Sequence, residues 1–213
     1  MRLSQIYGPL QARFRKKRMA AFAEMFHLDN AQRIIDIGGT PFNWELIPQK
    51  PTLLLVNLDG GTWKRGNMEK VIADGRALPY PDGGFDIAYS NSVIEHVGTA
   101  QDQVKFAEEV RRVAPAYYVQ TPNKFFPVEP HVLTLFIHWM PLGLYQKLVR
   151  TCSLWGWINK SSTQEMADLV ASIRLLTCAD MRRMFPDAEI HKEKVLFMTK
   201  SIIAIRRPTP GVR

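Results

Sequence analysis

At 213 residues, with 46% hydrophobic and 10% aromatic content, the chain suits one domain with a sizeable core and is too apolar for a disordered segment. Its formal net charge of +8 is spread along the sequence apart from one run, Arg13 to Arg18, so basicity alone ranks nucleic acid or an anionic membrane surface poorly as partners. Cys152 and Cys178 have neither metal-ligand spacing nor the numbers for a disulfide framework, which fits a reducing, cytoplasmic setting.

The start carries no apolar signal core. The most apolar long segment, Val132 to Val149, is interrupted by His138, Pro141 and Lys147, so no membrane span is expected. Residues 10–27 have helical periodicity, with Met19, Phe22 and Phe26 on one face; this helix is expected to precede the core, with the basic cluster as its solvated face. Arg33 to Thr40 is an apolar strand that carries Asp36 near its end and breaks on Gly38 and Gly39, a turn that lets a ligand approach the backbone. A short helix or loop spans Pro41 to Gln49, and a second buried strand runs from Thr52 to Asp59 into Gly60-Gly61. Val71 to Gly75 is a third strand and Phe85 to Ser90 a fourth.

Ser92 and Glu95 have capping-box spacing, so Glu95 is expected to be a helix cap and His96, directly after it, to point elsewhere. Thr99 with Asp102 opens a firm helix with Phe106, Val110 and Val113 on its apolar face, and Ala116 to Gln120 is a fifth strand stopped by Thr121-Pro122-Asn123. Tyr118 reads as core, and Asp82 and Asp86 as turn and strand-start residues. The segment from about 125 to 172 reads as an insert: aromatic and proline-punctuated to about Lys160, with Trp139, Tyr145, Trp155 and Trp157 as a packed lid, then a polar helix near Thr163 to Ser172. Thr177 and Asp180 cap another short helix through Phe185, and Ile190 to Met198 and Ser201 to Ile205 form a hairpin turning at Thr199-Lys200.

Alternating strands and helices with no linker give a single α/β domain over 1–213 with an open, mostly parallel sheet, whose ligands bind outside the carboxyl ends of the strands. Asp36, Asp59 and Asp74 cluster at those ends beside glycines. Three acids do not suit a phosphate cradle; they suit a cationic or hydroxyl-rich ligand. A P-loop is excluded by its missing Gly-Lys-Ser/Thr ending, and the dinucleotide fingerprint lacks its later glycine.

The run Asp36-Ile37-Gly38-Gly39, the acid-rich end of the second strand, and above all Ala73 to Val97 with its Leu78-Pro79-Tyr80-Pro81-Asp82 turn, resemble the class I S-adenosylmethionine-dependent methyltransferases, in their small-molecule (methyltransferase type 11-like) branch. The resemblance covers roughly Arg33 to Asn123 and implies a Rossmann-like, seven-stranded sheet with a C-terminal antiparallel hairpin and helices on both faces. It implies that Asp36, Gly38 and Gly39 line the methionine end of S-adenosylmethionine, that Asn57 or Asp59 meets the ribose, and that Asp74 accepts from the adenine amino group beside Gly75. Ser90 and Asn91 are implied to pass the sulfonium. Thr40 stands where the family usually has glycine, and supplies a hydroxyl there or reshapes the turn.

The resemblance further implies methyl transfer to a small-molecule or lipid-like acceptor, with His131 the first base to test and His96 the second. No metal is expected, because the His, Asp and Glu residues form no ligand set by spacing. Two other readings stand: peripheral contact of the basic run and the apolar insert with anionic lipid, and a non-catalytic S-adenosylmethionine-binding fold acting as a structural or regulatory partner. A nucleic-acid substrate is disfavoured, since Ser90-Asn91-Ser92-Val93 replaces the Asn/Asp-Pro-Pro-aromatic tetrad. The acceptor and the oligomeric state are not legible.

Overall fold

The computed structural model describes residues 15–154, 158 and 162–208. One eight-stranded sheet runs through it in the order β3-β4-β2-β1-β5-β6-β10-β9. The strands are β1 (Arg33–Ile37), β2 (Thr52–Asn57), β3 (Trp63–Arg65), β4 (Met68–Ile72), β5 (Ile87–Asn91), β6 (Ala116–Pro122), β9 (Glu189–Val195) and β10 (Met198–Arg206). β4, β2, β1, β5 and β6 pair parallel, while β10 lies antiparallel between β6 and β9. The mostly parallel α/β architecture with its terminal hairpin is the expected one, with β3 as an additional antiparallel edge strand on β4.

Two apolar layers follow from the period-two alternation of side chains along doubly buried strands. Ile35, Ile37, Ala88, Tyr117 and Val119 face one way, against Phe106, Val110 and Val113 of α3 (Ala100–Val113) and Met181 and Met184 of the helix Cys178–Met184. Ile34, Leu53, Leu55, Ile87, Tyr89 and Tyr118 face the other, against Trp44 of α2 (Pro41–Glu45) and Met19, Phe22 and Phe26 of α1 or its closing turn, α1 spanning residues 15–25. The N-terminal helix therefore belongs to the core, with Phe22 fully buried against Tyr89 and Tyr118. Residues 10–14 of the expected helix lie outside the described residues.

Other departures have local causes. Asp74 and Gly75 lie beyond β4, because that strand starts at Met68 to pair with β3. Pro122 remains in β6 as the register partner of Ser201. The hairpin turns at Leu196-Phe197, with Leu196 at φ 55°, because Thr199 is already paired with Lys194. The Thr99–Asp102 and Thr177–Asp180 capping boxes form as expected, whereas Val93 is the N-cap of the turn Ile94–His96, with no side-chain capping bond.

The insert has its own small core of Val132, Ile137, Tyr145, Val149, Met166 and Val170. It is built from the short pair β7 (Val128–Glu129) and β8 (Thr134–Leu135), α4 (Leu142–Cys152) and α5 (Thr163–Ala171); Cys178–Met184 is α6. Trp155 and Trp157 lie outside the described residues. No helix among the described residues is long and apolar enough to cross a membrane.

Candidate functional site

The turn after β1 is held from inside the protein. Gly38 has φ 76°, and a Cβ there would sit 2.4 Å from Val93 Cγ2; a Cβ on Gly39 would sit 1.9 Å from the Asp36 carboxylate. Both positions thus need glycine for reasons of packing. Asn57 Nδ2 donates to Gly39 O at 3.0 Å, and Gly38 N donates to Val56 O at 2.7 Å, so the end of β2 fixes the turn. Asn57 is a brace here, whereas Asp59, beyond β2, is exposed and makes no hydrogen bond or ion pair among the described residues.

Asp36 is almost wholly buried. Trp44 Nε1 donates to Oδ2 at 2.7 Å, while Oδ1 has no hydrogen-bond partner. Burial pushes its pKa up to about 7 against the lowering effect of the Trp44 bond. An orphaned buried carboxylate oxygen at a strand end fits a cationic amine. Thr40 is exposed at the N-cap of α2, and its hydroxyl caps nothing.

Asp74 accepts from Arg76: Nε lies 3.0 Å from both carboxylate oxygens, Nη2 lies 2.7 Å from Oδ2, and the backbone N lies 2.9 Å from Oδ1. This clamp holds the Asp74 carboxyl below its ordinary pKa. Arg76 Nη1 also donates to Val97 O at 3.2 Å, tying this loop to the turn that follows β5. Gly75 allows close approach, since a Cβ there would lie 2.7 Å from Ile37 Cγ2. Ser90 is buried and its Oγ donates to Ile37 O at 3.0 Å, locking β5 to β1.

Asn91 Oδ1 accepts from Arg18 Nη1 at 2.5 Å. Arg18 also donates to Gln120 at 3.2 Å and pairs with Glu193 at 2.7 Å, spanning the ends of β5, β6 and β9. The basic run therefore does not form a uniformly solvated face. The signal for Arg18 is its spacing: it stands four residues before Phe22, on the same helical face.

The insert brings His131 to the same rim. His131 Nδ1 lies 2.5 Å from Glu129 Oε1, and its Nε2 lies 3.1 Å from His96 Nε2 and 3.9 Å from Glu95 Oε1. Glu95 and Glu129 are buried. Glu95 is not a helix cap: Oε2 accepts from Thr121 Oγ1 at 2.9 Å and Oε1 has no hydrogen-bond partner. Nor does His96 point away. Burial lifts the Glu95 pKa to about 7 and, with the neighbouring His131 charge, lowers that of His96 to about 4. Burial alone would lower His131 too, but the hydrogen bond and charge of Glu129 and the charge of Glu95 outweigh it and raise the pKa. Glu129 was missed in the sequence; it closes β7, and the turn from Pro130 to Leu133 brings His131, two residues on, back to its carboxylate, which also accepts from Val132 N at 3.0 Å.

Glu129 also lines a cavity of about 840 Å³ with Gln103, Tyr145 and Arg174, between α3, α4 and α6 and away from the glycine turn. The Tyr145 hydroxyl is buried there without a partner. Trp139 is half exposed, donating from Nε1 to Lys124 O at 2.8 Å, and so is not a packed lid.

Residues 56–115 match the methyltransferase domain family. Two uncharacterized proteins of Mycobacterium tuberculosis are each 38% identical over 47 residues, a stretch that is 22% of this chain and 16% of their own length. A crystal structure of an S-adenosylmethionine-dependent methyltransferase from Mesorhizobium loti is similar at TM-score 0.55 and 14% identity, covering 90% of this chain and 98% of that one. The magnesium protoporphyrin IX methyltransferase of Synechocystis, solved with bound SAH, is similar at TM-score 0.55 and 12% identity, over 92% of this chain and 83% of that one. At such identities the structural likeness speaks for the fold.

Proposed function

We propose that this chain, a member of the class I S-adenosylmethionine-dependent methyltransferases by its domain match and fold, transfers a methyl group to a small-molecule or lipid-like acceptor. The observation that carries this reading is the placement of the Asp36–Gly39 turn, Asp59 and the Asp74–Arg76 loop at the carboxyl ends of the parallel strands β1, β2 and β4. S-adenosylmethionine supplies the activated methyl on its sulfonium.

The chain's own part is to bind, orient and manage a proton. Asp59 offers a ribose diol a carboxylate with no hydrogen bond or ion pair among the described residues, and that carboxylate accepts two charge-assisted hydrogen bonds from the hydroxyls. Asp36 Oδ1 and the Thr40 hydroxyl face the methionine end, and Asp74 and Gly75 the adenine. Ser90 and Asn91 keep the strand ends in register from beneath. Glu129 accepts from Nδ1 of His131, leaving Nε2 to take a proton from an acceptor hydroxyl, with His96 as its neighbour.

A lipid-like acceptor is supported by the outer face of the insert, where Leu135, Phe136, Trp139, Met140, Leu142 and Leu144 are all exposed. Incubating the full chain with methyl-labelled cofactor and a metabolite extract tests the reading: label is expected in a product of the extract, in the organic phase if the acceptor is lipid-like. Cofactor binding without label transfer to any acceptor would instead favour a non-catalytic partner fold. Indifference to anionic vesicles at low salt would remove the membrane form of the proposal.

A further inference from the structure

We propose that Glu95, His96 and His131 form a binding site for a divalent transition metal of the zinc type, held by one carboxylate oxygen and two imidazole Nε2 atoms with a further position open. Ligand atoms of these three residues lie within 4.8 Å of one another. Four-coordinate zinc takes nitrogen and oxygen ligands at about 2.0–2.2 Å, which sets neighbouring ligands about 3.3 Å apart in a tetrahedron. The two Nε2 atoms, 3.1 Å apart, are already at that spacing, and Glu95 Oε1 at 3.9 Å from His131 Nε2 is close to it.

Three independent features favour an ion over a plain histidine pair. Glu95 is fully buried, yet its Oε1 is without a hydrogen-bond partner and lies toward His131. Glu129 accepts from His131 Nδ1, which fixes the tautomer with a lone pair on Nε2; this carboxylate–histidine arrangement is the one that orients metal-bound imidazoles. Two buried carboxylates, Glu95 and Glu129, approach His131 from its Nε2 and Nδ1 sides, so a ligand oxygen and an orienting oxygen are both in place around one imidazole. His96 is exposed, so the cluster is reached from solvent.

Two imidazoles with one carboxylate suit zinc, cobalt or nickel better than magnesium or calcium, which prefer all-oxygen shells. The open position selects acceptors with a hydroxyl or carboxylate oxygen, a use that rests on the methyl-transfer reading, whereas binding of the ion does not. With an ion bound, His131 Nε2 would be a ligand, so the proton-accepting role of that atom belongs to the metal-free site.

The test is calorimetric titration of chelator-treated full-length protein with zinc sulfate, followed by the visible spectrum with cobalt(II). One equivalent is expected to bind. Glu95→Gln and His96→Ala are expected to abolish the saturable phase, and Glu129→Gln, which only orients His131, to weaken it by roughly 10- to 100-fold. His191→Ala, at the exposed Glu189–His191 pair, is expected to change nothing. Far-UV circular dichroism and the unfolding temperature establish that each variant is folded. No saturable binding by wild type, or equal affinity in folded Glu95→Gln and His96→Ala proteins, overturns the site. S-adenosylhomocysteine is titrated separately: zinc binding without it defeats the functional reading and leaves the site, and the reverse defeats the site alone.

Discussion

Trp44→Phe removes the hydrogen bond that Nε1 donates to the buried Asp36 carboxylate. Loss of a bond to a charged buried group is expected to cost about 1.5–3 kcal/mol in urea unfolding at a pH above 7, and to push the Asp36 pKa further up. The pH dependence follows from the sign of the shift. Asp36 has an ordinary value of 3.8 and titrates at about 7 in the fold, so the native state binds the extra proton between those values. Its contribution is fully present below about pH 4 and is lost as pH rises through about 7. Stability measured from about pH 5 to 8 is expected to fall less in Asp36→Asn than in wild type; an unchanged slope removes Asp36 as the cause. Asn57 is engaged by Gly39 O, which leaves Asp59 as the group to test against the ribose. Asp59→Ala is expected to weaken S-adenosylhomocysteine by about 1.5–3 kcal/mol in calorimetry, with thermal stability unchanged, since Asp59 is exposed and makes no hydrogen bond or ion pair among the described residues.

The first helix marks where periodicity outran its interpretation. Its apolar face was legible from Met19, Phe22 and Phe26, but a helix ahead of the first strand carries no sign of which layer it joins. The fold seats it beside Trp44, Tyr89 and Tyr118. Phe22→Ala is expected to destabilise by about 3–5 kcal/mol in chemical unfolding; a loss below about 1 kcal/mol returns the helix to the periphery. Arg18→Met leaves Glu193 and the Asn91 side-chain carbonyl without the guanidinium, while Gln120 keeps the Ser92 hydroxyl as donor. A cost of about 2 kcal/mol is expected, and Arg18→Lys recovers only part of it, because an ammonium does not reproduce the forked contacts. The hairpin turn at Leu196-Phe197 escaped notice because it lacks the usual turn residues, and pairing of Thr199 with Lys194 decided it. Strand β3 was legible in principle, since Gly66-Asn67, with Gly66 at φ 56°, is a hairpin dipeptide between Arg65 and Met68.

Across the whole molecule, the parallel sheet was legible because doubly buried strands such as β1 and β2 read as apolar runs ending on polar residues. The position of the strand-end acids was legible for the same reason: Asp36 lies in β1, and Asp59 and Asp74 follow β2 and β4 at the carboxyl edge of the sheet. The histidine side was not. Glu95 meets His131 only because the insert folds back over the end of β6, a contact between residues 36 positions apart that no local pattern encodes, whereas Glu129 stands two residues from His131. The central claim is that the strand ends hold S-adenosylmethionine, with the histidine cluster on the acceptor side. Titration of wild type, Asp59→Ala and His131→Ala with S-adenosylhomocysteine tests it most directly. The account expects a single saturable site in wild type, weakened in Asp59→Ala and unchanged in His131→Ala; no saturable binding by the folded wild-type chain would contradict it.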